Sequence, residues 1–221
     1  MRRALLRKNA SGGGFAFGNC LDYDATGYVS LNMSVTNQWS YVFWFYPTAI
    51  GIQFLAAANS STNFIRFDDE ETMRFRVSTN NVFTWPTGTI AINNWHSCVV
   101  TFDAGEQKMY IDGVASSSNP MTAVDLSWDF TYLGRRGTSG SQFYGYQDES
   151  AFYDGTIWTA ANAVSFHNGG AGISAPDVVA SPTAHWKFDE SGTDTTLVDS
   201  SGNGNNGTLI SFPSSGMWIA H

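Results

Sequence analysis

Charge is scarce in this chain, and positive charge is scarcer still. Only 14% of the 221 residues are Asp, Glu, Lys or Arg, and the net charge is −8. Of the 11 basic residues, Arg2, Arg3, Arg7 and Lys8 fall within the first eight positions. The remainder is strongly acidic. That excludes nucleic acid as a partner of the body, because phosphate contacts need clustered Lys and Arg. No apolar run is long enough to cross a bilayer, so no membrane partner is expected. The start is basic but lacks a hydrophobic region, since Ala4-Leu5-Leu6 stops at Arg7, and no secretion signal is read. Cysteine is down to Cys20 and Cys98, which allow one bridge; free buried thiols are the expected state. The chain also has no Gly-x-Ser-x-Gly elbow, no His-x-x-x-His pair and no phosphate loop.

What is abundant is aromatic and glycine: 15% Phe, Trp and Tyr, with 22 Gly. Aromatic-rich, glycine-rich and charge-poor composition points to an all-β fold with many turns. The segment 39–47, WSYVFWFYP, is the strongest strand. Trp39, Tyr41, Phe43 and Phe45 share one face, and Val42, Trp44 and Tyr46 the other. Both faces are apolar, so the strand is central, or one face meets a partner. Residues 64–77 read as a hairpin with Asp68 to Glu71 at a solvated tip. Residues 94–114 read as a second hairpin, opened by Trp95, turning near Ala104 to Gln107 and ending in Asp112-Gly113. Asp-Gly after alternating residues marks a tight turn that needs positive φ at both positions. Thr159 is an N-cap candidate for a helix of about two turns up to His167, closed by Gly169.

Two stretches, NWHSCVVTFDAGEQKMYIDGV at 94–114 and YLGRRGTSGSQFYGYQDESAFYDG within 132–170, carry a resemblance. Their tryptophan-led strand, Tyr-Ile-Asp-Gly hairpin and Gly-x-x-Asp-Glu strand before a short helix resemble the laminin-G-like, concanavalin-A-like sandwich domains. That resemblance implies an antiparallel jelly-roll β-sandwich with one short helix. It leaves function open, because the architecture hosts lectins, glycosidases and spacer modules alike. The organisation is read as a basic arm and glycine hinge at 1–14, a sandwich at 15–170, and a linker with C-terminal strands at 171–221. Those last strands complete a sandwich, either this one or a neighbour's.

The segment 181–212 resembles one that commonly opens such domains, Trp-x-Phe-Asp-Glu followed by Asp-Ser-Ser-Gly-Asn-Gly-Asn-x-Gly-Thr-Leu. Here it comes after the sandwich. A sandwich followed by this segment resembles structural proteins of bacteriophages. The resemblance implies a non-catalytic virion accessory protein, a head decoration or fibre component, assembled in the host cytoplasm. Its partners would be capsid or tail proteins, copies of itself as a homo-oligomer such as a trimer, and a cell-surface glycan. Arg2, Arg3, Arg7 and Lys8 are the candidate anchor, because a cationic arm on an acidic body suits an acidic surface. A free carbohydrate-binding module or lectin is the alternative, and a glycoside hydrolase stands third. The hydrolases of this fold need two carboxylates flanking one bond, and no Glu-x-Asp-x-Glu run is present. Calcium is the one cofactor with support. Its candidate ligands are Asp199 and Asn203 in an Asn/Gly-rich loop, and Asp148 and Glu149 in the Asp-Glu strand. The competing reading of the loop is an ordinary turn held by Asx hydrogen bonds. Trp85, Trp128, Tyr132, Tyr144 and Trp158 are candidates for a sugar-stacking platform, against core packing.

Overall fold

Alternating side chains and positive-φ turns pair the chain into two antiparallel sheets. The computed structural model describes residues 18–24, 26–59, 63–77, 79–123, 128–137, 141–215 and 217–220. Arg2, Arg3, Arg7 and Lys8 lie outside them. The elements run β1 (Asn19–Asp24), β2 (Tyr28–Val35), β3 (Gln38–Pro47), β4 (Gln53–Ala57), β5 (Asn63–Asp69), β6 (Thr72–Val77) and β7 (Thr79–Thr84). Then come β8 (His96–Asp103), β9 (Glu106–Ile111), β10 (Val114–Ala115), β11 (Met121–Thr122), β12 (Trp128–Leu133) and β13 (Tyr144–Asp154). Helix α1 (Ala160–His167) and the one-turn α2 (Ala175–Val178) follow, then β14 (Ala184–Trp186), β15 (Thr196–Leu197), β16 (Gly207–Ile210) and β17 (Trp218–Ala220).

The first sheet has the order β10-β9-β8-β3-β13-β1-β17, with β11 on β9 and β14 on β13. The second runs β15-β16-β2-β12-β4-β5-β6-β7. Asp112 and Gly113 sit at φ 53° and 76°, forming the tight turn that the Asp-Gly pair predicts. Strand β3 is central, between β8 and β13. Its inner face gives Trp39, Tyr41, Phe43 and Phe45 to the core between the sheets, beside Phe67, Phe75, Phe130, Phe152 and Trp186. Its outer face gives Val42 and Trp44 to a smaller cluster under the helices, with Trp158, Ala163, Phe166 and Ala175. Thr159 caps α1, its Oγ1 accepting from the Asn162 N–H, and the Asn162 side-chain oxygen accepts from the Thr159 N–H.

The C-terminal segment enters both sheets of its own chain. β14 pairs with β13, β16 with β2, and β17 with β1. It buries Trp186, Phe188, Leu197 and Leu209 in the core. The stretch read as a linker contains α2 and is fixed at its start, where Glu149 accepts bonds from Ser174 Oγ and Ala175 N–H. Cys20 and Cys98 are both buried and unbridged.

Candidate functional site

The outer face of the first sheet carries a row of aromatic and acidic side chains across β1, β13 and β3. In β13, Tyr144 and Tyr146 point the same way, and pairing places Asp24 opposite Tyr144 and Asp22 opposite Tyr146. Across the next ladder Tyr146 meets Tyr46 of β3. Trp95, just before β8, completes an aromatic shelf. Its ring lies 5.6 Å from Tyr46 and 6.4 Å from Tyr146, and Tyr46 lies 5.3 Å from Tyr146. Tyr46, only 8% exposed, is the floor of the shelf, and burial raises its pKa above the ordinary value; Trp95 and Tyr146 are half-buried and form its open part. Tyr144 is 45% exposed. Beside the shelf opens a cleft of about 250 Å³, lined by Asp22, Asp24, Thr48, Tyr144, Tyr146 and Ile219. Gly145 makes this close approach possible: at φ 144°, a Cβ there would fall 1.9 Å from the Tyr46 carbonyl oxygen.

A second cleft, about 290 Å³, lies between residues 193–195 and 209–217, with Leu209, Phe212, Pro213 and Met217 among its walls. None of its described lining residues carries a charge to orient a polar ligand. We therefore take the shelf, with its paired aromatic faces and carboxylates, as the site.

The proposed calcium ligands have other occupations. Asp148 and Glu149 form a bulge where the β13–β3 register shifts. Asp148 Oδ1 accepts from the Glu149 N–H, and Glu149 turns to φ 44°. Its Oε1 meets Ser174 Oγ, Ala175 N–H and, at 2.8 Å, His185 Nε2. Burial, with Glu149, Asp189 and Glu190 close by, holds the Asp148 carboxyl well above the usual range. Asp199 accepts backbone N–H bonds from His185, Ser201 and Asn205. Burial raises its pKa, but these bonds outweigh it and hold the carboxyl below its ordinary value. Asn203 donates to the carbonyls of Pro182 and Thr183. Among the described residues, no group of three or more His, Cys, Asp or Glu is arranged to hold a metal ion.

Of the aromatic candidates whose side chains are described, the structure brings only Tyr144 to the cleft beside the shelf. Trp85 and Trp158 are buried. Tyr132 lies on the second sheet against Tyr28. The Trp128 side chain lies outside the described residues. Tyr46, Trp95, Tyr146, Asp22 and Asp24 were absent from the sequence-derived site, because they meet only through inter-strand register.

One constellation is invisible in the sequence. Ser97 Oγ lies 3.3 Å from His167 Nδ1, and the same nitrogen lies 3.5 Å from Asp112 Oδ1. His96 Nδ1 is 2.7 Å from the other Asp112 oxygen. A Ser–His–Asp relay needs serine and carboxylate on opposite ring nitrogens. Here they share one, and Ser97 is buried. The cluster braces the β9–β10 turn against α1.

Residues 23–161 match the model of the concanavalin A-like lectin/glucanases superfamily. No curated protein sequence matches the chain. Among solved structures, a heptameric SAP-like pentraxin from Limulus polyphemus aligns with TM-score 0.55 at 10% identity, over 68% of this chain and 82% of that one. Domain 4 of AbnA, an extracellular arabinanase from Geobacillus stearothermophilus, solved with arabinotriose, aligns at 0.52 with 19% identity over 66% and 74%. A Trypanosoma rangeli sialidase aligns at 0.50 with 12% identity, over 72% of this chain but 28% of the enzyme. At these identities the likeness is one of fold.

Proposed function

Because the chain belongs to the concanavalin A-like lectin/glucanase superfamily, we propose that it is a non-catalytic carbohydrate-binding protein using the shelf at Tyr46, Trp95 and Tyr146. The observation that carries this reading is the aromatic shelf flanked by Asp22 and Asp24. Sugar rings present apolar C–H faces that pack on aromatic rings, while carboxylates accept from their hydroxyls. The cleft has room for one or two sugar rings. The non-catalytic half rests on where the carboxyls of raised pKa lie. A general acid must keep its proton near neutral pH and still reach substrate. Asp148 and Glu190, whose pKa values burial raises, are not among the residues lining the cleft.

A glycan array followed by calorimetry tests this. Wild type should bind a neutral oligosaccharide, and Tyr146→Ala should weaken binding about tenfold, the loss of one stacked ring. Product analysis should show the oligosaccharide intact. Undiminished binding by folded Tyr146→Ala, or released fragments, would overturn the proposal.

The proposed setting is the surface of a bacteriophage particle, where several copies present the shelf and Arg2, Arg3, Arg7 and Lys8 anchor the body. The sandwich-then-Trp-x-Phe-Asp-Glu order at 181–212 supports it. Imaging of particles would place the chain on a capsid or tail, or show that it is absent.

A further inference from the structure

Five of the seven basic residues beyond position 8 converge on the outer face of the second sheet, the side opposite the shelf. Arg66 of β5 and Arg74 of β6 are direct cross-strand partners, as are Phe54 and Arg66, and Phe64 and Arg76. Side-chain alternation turns all of them outward, while Ile65, Phe67, Met73 and Phe75 fill the core. Arg135 and Arg136 follow β12 and fold back over the same face. The Arg136 guanidinium lies 5.2 Å from the ring centres of both Phe54 and Phe64. Arg66 stands over the same two rings, at 5.9 and 5.6 Å, and Arg76 over Phe64 at 5.9 Å. Arg135 lies 4.1 Å above Tyr28 and 5.4 Å from Tyr132.

Among the described residues, Asp68 is the one carboxylate with an ion pair to Arg66 or Arg74, at 2.5 and 2.7 Å. Arg135 and Arg136 have no ion pair among the described residues, and the Nε of each is buried without a hydrogen-bond partner. Burial, then repulsion from Arg76 and Arg66, holds the Arg136 guanidinium below its ordinary pKa. Buried, unpaired polar atoms cost stability until a partner arrives. A guanidinium stacked on an aromatic floor is already oriented, so little freedom is lost when it grips an oxyanion with two parallel N–H bonds.

We propose that this face is a second binding site, formed by Arg135 and Arg136 over Phe54, Phe64, Tyr28 and Tyr132, for the carboxylate or sulfate of an acidic saccharide. The site suits one oxyanion at a time. Elsewhere the acidic body repels a long polyanion, which disfavours nucleic acid. A half-buried guanidinium pair over rings suits a group carried on a sugar, whose ring can lie against the same floor. The saccharide as carrier rests on the carbohydrate-binding reading above; the oxyanion site itself rests on the arginines.

Calorimetry of the full chain with three probes separates the two. An oligogalacturonate offers carboxylates, a heparin-derived oligosaccharide offers sulfates, and an arabino-oligosaccharide is neutral. At least one acidic probe should bind, and which of them binds identifies the oxyanion. Its affinity should fall about tenfold in Arg135→Gln/Arg136→Gln, a loss of ~1.4 kcal/mol, and should weaken as salt rises. Arg136→Lys, which keeps the charge but not the fork, should lose less. Tyr146→Ala should leave acidic binding intact, so that failure of the shelf and failure of this face read differently. The proposal is overturned if neither acidic probe binds, or if the double variant, folded by circular dichroism, binds as wild type does. It is also overturned if the face proves to be covered by a second copy, seen as concentration-dependent self-association that the double variant abolishes.

Discussion

Asp148 is a carboxyl kept from water in the middle of β13, with three other carboxyls bearing on it. Its folded pKa lies above its unfolded one, so the native state holds a proton that the unfolded chain gives up. The sign follows: Asp148 costs the fold nothing at low pH, and stability is lost as pH rises from the ordinary carboxylate range through the folded value. Asp148→Asn keeps an acceptor for the Glu149 N–H and removes the charge. We expect it to raise the melting temperature near neutral pH by about 2–4 °C, the shift that ~1 kcal/mol produces in a chain of this length. The gain should fade toward acid pH. A variant less stable than wild type at pH 8 would mean that the carboxylate is paired in a way that outweighs its burial. Asp199 works in the opposite sense. Its pKa is depressed by the backbone N–H groups around it, so its contribution is present at neutral pH and lost as pH falls toward its folded value.

At the scale of elements, hairpins and faces were readable and registers were not. Asp112-Gly113 announced its turn because few other residue pairs tolerate two positive φ values. The alternation in 39–47 gave both faces of β3, including the outer apolar stripe that α1 and α2 cover. The bulge at Asp148 and Glu149 left no such mark, since Glu149 reaches φ 44° without glycine, held by three hydrogen bonds to its side chain. The shelf was equally hidden. Asp22, Tyr46 and Tyr146 are far apart in the chain, and only strand pairing brings them into one row. The C-terminal strands carried enough apolar residues to predict that they pack, but not against which sheet. They enter both, so ending the chain at Ala180 strips strands from each. Full burial of side chains such as Trp186, Phe188, Leu197 and Leu209 is worth roughly 1.5–3 kcal/mol apiece. That sum rivals the whole stability of a domain, about 5–15 kcal/mol. The truncated chain should be insoluble, or should bind a hydrophobic dye and lose its near-UV circular dichroism. A monodisperse product with a sharp melting transition would contradict this.

For the molecule as a whole, the two outer faces differ in chemistry. One presents rings beside carboxylates, the other rings beneath guanidiniums. A layer two sheets thick separates them, so ligands on the two faces need not compete. The pairing of β1 with β17 sets Asn19 opposite Ala220. The first described strand and the last are therefore neighbours, and the backbone describes a nearly closed loop. In such a loop the point of opening is a matter of wiring rather than of architecture. This gives a physical sense to finding at 181–212 a segment that resembles the start of other sandwiches: carrying it from one end to the other needs only a short bridge. A circular permutant, joined by a few glycines from Ala220 to Asn19 and reopened in the exposed turn at Thr87-Gly88, should fold to the same sandwich and keep both binding faces. If it unfolds or aggregates while the parent chain melts cooperatively, the order of the strands matters to folding as well as their positions.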